Sequence, residues 1–133
     1  PEFFSTFGGS TLSCMIGKEV LEIVDDESLQ ANAKQMGERL LTGLREIKNK
    51  FHQIGDVRGM GLFLGIDLVK NNITQDEDKD LCTYIKNRMR DSRILIGSEG
   101  PKDNVLKIRP PLTIDAEGVD MILHYFEKIM NEV

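Results

Sequence analysis

The sequence predicts an α+β fold, a small and mainly antiparallel sheet covered by helices, and three observations carry that reading. Leu29, Ala33, Met36, Leu40, Leu44, Ile47 and Phe51 recur at steps of three and four, the spacing of one buried helix face. Leu62-Phe63-Leu64-Gly65-Ile66-Asp67-Leu68-Val69 is a β-rich run directly behind Arg58-Gly59-Met60-Gly61, whose paired glycines suit a tight reversal. Two further short β-rich runs end at Pro110-Pro111, since proline cannot donate to a ladder. At 133 residues the chain has room for one domain with a single core.

The elements follow in order. Ser10 or Thr11 is expected to cap a first helix whose apolar positions are Leu12, Ile16, Val20 and Ile23. Asp25-Asp26-Glu27-Ser28 interrupts it and is expected to cap the second helix, with acids at the positive end of its dipole. Ile54 and Val57 belong to a strand that pairs with the run from Leu62 as a hairpin. Asn71 and Asn72 open a polar loop before a helix from Asp76 to Asp91, with Leu81, Ile85 and Met89 inside. Ile94-Leu95-Ile96 reads as a short strand, Gly97 to Asn104 as a turn-rich loop, and Val105 to Ile108 as a second short strand. Asp115 caps the last helix, where Val119, Ile122, Leu123, Phe126, Ile129 and Met130 share a face.

Composition removes several function classes. A net charge of −5 argues against a nucleic-acid partner, which needs a clustered basic face. The longest apolar stretches, such as Leu62 to Ile66, are too short to cross a bilayer, so no membrane partner is expected. No basic segment followed by an apolar one opens the chain, and Pro1-Glu2-Phe3 in place of an initiator Met reads as a cut from something longer. Cys14 and Cys82 form no CxxC pair and no metal spacing with His52 or His124; both are expected as buried reduced thiols. A reducing compartment follows, the cytoplasm or, in a eukaryote, the mitochondrion. Arg58 beside its glycines reads as a bonded arginine pinning the hairpin, and His124 falls on the polar side of its helix.

Three motifs in order then carry a resemblance spanning nearly the whole chain. Ser5-Thr6-Phe7-Gly8-Gly9 resembles the Ser-Thr-aromatic-Gly-Gly signature of class III aminotransferases, Asp56 to Leu62 resembles that family's Arg-Gly-x-Gly turn, and Asn104-Val105-Leu106-Lys107-Ile108 with Pro110-Pro111-Leu112 resembles its late strand and double proline. Glu99-Gly100-Pro101-Lys102-Asp103-Asn104-Val105-Leu106-Lys107, with Gly61 to Leu68, is similar to the phospho-lyase branch, which acts on ethanolamine phosphate or 5-phosphohydroxylysine.

The resemblance implies the C-terminal domain of a fold type I enzyme that uses pyridoxal 5'-phosphate (PLP). Residues 1–11 would close the large domain as a phosphate-contact loop, and residues 12–133 would be the small domain. The expected partners are the chain's own large domain, the second subunit of a homodimer, and a small amine or amino-acid substrate. Thr6, with Ser5, would contact the PLP phosphate of the neighbouring subunit: hydroxyls donate, glycines let backbone approach an anion, and a helix N-terminus follows. Ser10-Thr11 replaces the family's usual Asn-Pro, which keeps a capping residue and loses a pre-set first helical residue.

Many members hold the substrate carboxylate with an arginine three residues before the first proline, and here that position is Lys107. A guanidinium fork matches a planar carboxylate in two bonds; a lysine offers a point charge better suited to phosphate. Arg109, two residues on and expected on the same strand face, is the alternative substrate contact. The family's catalytic lysine, the acid facing its pyridine nitrogen and the stacking aromatic lie upstream of these motifs, so no catalytic residue is expected here and the isolated chain should be inactive. The expected activity of the complete enzyme is elimination of phosphate from a phosphorylated amine. An ω-aminotransferase is the first alternative, and a freestanding non-catalytic binding module the second.

Overall fold

The computed structural model describes residues 4–71 and 73–133. The elements run α1 (Thr11–Asp26), α2 (Leu29–Lys48), β1 (Ile54–Met60), β2 (Phe63–Leu68), α3 (Lys79–Asp91), β3 (Gly97–Glu99), β4 (Val105–Ile108) and α4 (Ala116–Met130). The four strands form one antiparallel sheet in the order β1-β2-β4-β3. The α+β fold and its order of elements are those that the periodicities predict.

Alternation along the strands gives the sheet two unlike faces. Leu64, Ile66 and Leu68 of β2 and Leu106 and Ile108 of β4 are buried. They meet α2 and α3, and α4 packs against both of those helices. The core is completed by Leu40 and Leu44, Ile85 and Met89, and Phe126, all fully buried. The alternate residues, among them Phe63, Gly65, Asp67, Val105 and Lys107, stand on the face that no helix covers.

The β1–β2 reversal is tight because Gly61 takes φ 54, where a side chain is disfavoured. Gly37 of α2 sits against that turn, and a Cβ there would lie 2.1 Å from the Gly61 carbonyl oxygen. Helix and hairpin tip therefore meet backbone to backbone.

Several local expectations are corrected. The third strand is Gly97–Glu99, not Ile94-Leu95-Ile96, because Val105 to Lys107 of β4 pair with Glu99 to Gly97. Ile94 and Ile96 pack on the core from an irregular segment, and the turn contracts to Gly100–Asn104. Asp25 and Asp26 lie in the last turn of α1 rather than the first turn of α2, which holds no acid. Ser28 does occupy the N-cap position of α2, but at φ 52 and without a side-chain capping bond. Asp115 does cap α4, accepting from the Gly118 amide at 2.8 Å, whereas α3 starts at Lys79 rather than Asp76, because the Asp78 carboxylate accepts from the Leu81 amide at 2.9 Å and caps it there. Cys82 is buried, and burial pushes its thiol up to about 11, whereas Cys14 is exposed. Pro1, Glu2, Phe3 and Asn72 lie outside the described residues.

Candidate functional site

The uncovered face of the sheet carries a cleft of about 390 Å³, and Lys107 lines it. Its position in the ladder explains why space exists there. Lys107 pairs with Gly65 of β2 on one side and Gly97 of β3 on the other. Neither neighbour has a side chain, and a Cβ on Gly97 would come within 3.2 Å of Lys107 Cε. The lysine stem passes beside Gly97, with Val105, Met60 and Phe63 lining the same cleft, and its ammonium reaches the end of β3 and donates to Glu99 Oε1. The cleft thus presents apolar lining and an ammonium bonded to one carboxylate.

Arg58 reaches the same cleft with its guanidinium already engaged. Asp56 and Asp67 face each other across β1 and β2, an arrangement of like charges that destabilises a ladder unless it is bridged. Arg58 bridges it, Nη1 donating to Asp56 Oδ2 at 2.9 Å and to Asp67 Oδ2 at 2.5 Å, with Nη2 donating to Asp67 Oδ1 at 3.2 Å. These bonds, to Asp67 first, raise the guanidinium above its ordinary range, and Arg58 holds the Asp56 carboxyl below the usual carboxylate range. Arg58 pins the hairpin, as its place beside the glycines implies.

Arg109 is placed elsewhere. β4 ends at Ile108, and the exposed Arg109 beyond it lines a different cleft, with Arg93 and Pro110-Pro111. The chain therefore does not bring Lys107 and Arg109 into one cleft.

Ser5 and Thr6 sit in an exposed turn ahead of α1. The Gly8 amide donates to the Ser5 carbonyl at 3.3 Å, and Gly9 takes φ 77. Ser10 stands at the N-cap without bonding the helix backbone; its hydroxyl accepts from Ser13 instead. The first-turn amides of α1 thus have no side-chain cap, and with two exposed hydroxyls and two glycines this donor set fits a phosphate. The turn does not line the Lys107 cleft, and among the described elements α1 packs on α2 alone.

Glu99 was not singled out from sequence, nor were Met60 and Phe63 as cleft lining. Glu99 stands eight residues before Lys107 across a Gly-Pro turn, and a hairpin register through that turn is the signal that brings them together. Among the described residues no group of three or more His, Cys, Asp or Glu could hold a metal ion, and no helix is long and apolar enough to cross a membrane.

The comparisons agree with this geometry. Residues 2–130 match the aminotransferase class-III family, and the chain belongs to that family, whose members are PLP-dependent enzymes. It is similar to an alanine–glyoxylate aminotransferase 2-like protein of Drosophila melanogaster, 39% identical over 98% of this chain and 27% of the relative. It is similar also to ethanolamine-phosphate phospho-lyase homolog 1 of Caenorhabditis elegans, 41% identical over 88% of this chain and 25% of the relative. Among solved structures it superposes on a phospholyase from Arthrobacter in complex with phosphoethanolamine, with a TM-score of 0.92 and 37% identity over 98% of this chain and 31% of that one. The chain spans about a quarter to a third of the length of these proteins.

Proposed function

We propose that this chain works as the C-terminal small domain of a PLP-dependent class III enzyme that eliminates phosphate from a phosphorylated amine. Residues 1–11 close the large domain as its phosphate-contact loop, and residues 12–133 form the small domain. The observation that carries the reading is Lys107, set between Gly65 and Gly97, its ammonium in a cleft with apolar lining and bonded to one carboxylate. A phosphate monoester, with close to two charges at neutral pH, can displace a single carboxylate from that ammonium. A compact ammonium suits phosphate, whereas a planar carboxylate gains most from a guanidinium fork, and the one in this cleft, Arg58, is engaged by Asp56 and Asp67. The C. elegans and Arthrobacter relatives, one named a phospho-lyase and the other solved with phosphoethanolamine, support the same substrate class.

The chain's own residues then have distinct tasks. Lys107 binds and orients the substrate anion. Met60 and Phe63 line the cleft beside it as apolar surface, exposed in this chain. Thr6 and Ser5, with the uncapped start of α1, hold the cofactor phosphate of the neighbouring subunit. When bound, PLP supplies the electron sink for proton loss at the substrate carbon. The catalytic lysine, the acid at the pyridine nitrogen and the stacking aromatic come from the large domain. The partners are that large domain and a second subunit, in agreement with the exposed apolar residues of α1. The cytoplasm is the compartment that two free thiols fit.

An ω-aminotransferase is the second reading, favoured by the Drosophila relative's name. There Arg109, rather than Lys107, would have to meet a substrate carboxylate. The deciding experiment incubates the complete enzyme and PLP with ethanolamine phosphate and with 5-phosphohydroxylysine, without an amino acceptor. Inorganic phosphate should appear from at least one of them. Release from neither, with amino transfer to a keto acid intact, overturns the lyase and leaves the aminotransferase.

A further inference from the structure

The second cationic cleft has no task in the function above. It is formed where α3 ends and the chain leaves β4, and it shares no lining residue with the Lys107 cleft. Ile96, Ile108, Ile114 and Ile122 line it as an apolar wall, and Arg93 and Arg109 stand exposed beside them. Neither guanidinium has an ion-pair or hydrogen-bond partner among the described residues.

The clefts lined by Lys107, Arg39, Lys102 and Lys34 each contain a carboxylate as well, respectively Glu99, Asp120, Glu77 and Glu38. No acid lines the cleft of Arg93 and Arg109. Two like charges sharing one concavity repel each other, and an anion between them removes that cost.

The backbone gives a second, independent indication. The Arg93 amide donates to the Arg90 carbonyl at 2.8 Å and the Ile94 amide to the Met89 carbonyl at 2.9 Å, closing the end of α3 with Arg93 at φ 64. Glycine or asparagine is the ordinary residue for such a left-handed helix ending. A long arginine there is strained, and strained positions of this kind gather at sites where the side chain is used.

We infer that this cleft is an anion site distinct from the Lys107 cleft, taking a small molecule with a phosphate or carboxylate head and a short apolar body. The two guanidinium groups grip the head, and the isoleucine wall takes the body. At about 340 Å³ the cleft falls within the size range of small-molecule sites.

The test is a titration of the 133-residue chain with hexyl phosphate, followed by amide chemical shifts in NMR. Saturable shifts are expected at Ile96, Arg109 and Ile114. Inorganic phosphate and 1-hexanol, each carrying half of the recognition, should bind at least roughly tenfold more weakly. Hexanoate in place of hexyl phosphate distinguishes the two head groups. Arg93→Gly is the decisive variant, because glycine relieves the positive φ while removing the cation. Its thermal midpoint should equal or exceed that of the wild type, and its affinity for hexyl phosphate should fall about tenfold. Arg109→Gln should weaken binding similarly. Shifts confined to Gly65, Gly97 and Lys107, or an Arg93→Gly variant that binds as well as wild type, overturn the assignment.

Discussion

α4 spans 15 residues and buries Val119, Ile122, Phe126, Ile129 and Met130, whereas α1 spans 16 residues and buries none. Both carry apolar side chains at helical spacing, and Leu12, Ile16, Val20 and Ile23 of α1 read from sequence as well as the face of α4 does. The difference lies in what each helix meets. α4 packs on α2 and α3 over the sheet, and among the described elements α1 packs on α2 alone, leaving Leu12 69% and Leu21 67% exposed. Periodicity states that a face will be buried without stating against what. A regular stripe left bare is the surface on which the proposed large domain or second subunit would pack.

The largest effect expected from this contrast is a difference between two alanine substitutions. Phe126→Ala opens a cavity in the core and should cost about 3–5 kcal/mol of stability in urea unfolding of the chain. Ile16→Ala should stay within about 0.5 kcal/mol, because that side chain is exposed. Loss of more than about 2 kcal/mol at Ile16 would break the comparison.

The proposed contact of the turn ahead of α1 with the cofactor phosphate is tested in the complete enzyme by Thr6→Ala. Removing one hydrogen bond to a charged phosphate should weaken PLP binding by roughly 1.5–3 kcal/mol, about tenfold to a hundredfold, with the fold intact. Unchanged cofactor affinity would return Thr6 to a turn-forming residue.

A smaller effect belongs to the end of α4, which is clamped where α1 is not. Glu132 accepts from Arg88 at 2.9 and 2.8 Å and from Tyr84 at 2.9 Å. Arg88 first, then Tyr84, lowers its carboxyl from 4.5 to about 2. A carboxyl lowered on folding contributes stability above its unfolded pKa and loses it as the pH falls through the folded one. The thermal midpoint of wild type should therefore fall more steeply between pH 4.5 and about 2 than that of Glu132→Gln. Parallel curves for the two proteins would remove the clamp from the account.

Much of the fold was legible because its signals are local. The stripe of α2, the glycine reversal at Gly61 and the Asp115 cap each act over a few residues, and the structure has all of them. What escaped depends on registers between distant segments. Ile94-Leu95-Ile96 has the composition of a strand, but the ladder falls on Gly-Ser-Glu because β4 faces that triplet. Cys14 looked like a core residue for the reason α1 looked like a core helix. Lys107 was legible through its distance from Pro110, while Glu99, the residue that holds it, became visible only with the β3–β4 pairing. The separation of Lys107 from Arg109 has the same origin: β4 stops at Ile108, so strand alternation does not carry Arg109 to the Lys107 cleft.

The central claim is that Lys107 meets a substrate phosphate, and the most direct measurement is kcat/KM for ethanolamine phosphate, 5-phosphohydroxylysine and a plain amino acid in complete enzymes carrying the native residue, Lys107→Arg or Arg109→Ala. Lys107→Arg should lower kcat/KM for the phosphorylated amines and leave amino-acid transamination equal or improved, since it restores the bidentate fork. Arg109→Ala should leave the elimination in place. A nearly silent Lys107→Arg, together with an Arg109→Ala variant severely impaired on every α-amino acid, would contradict the account and give the substrate contact to Arg109.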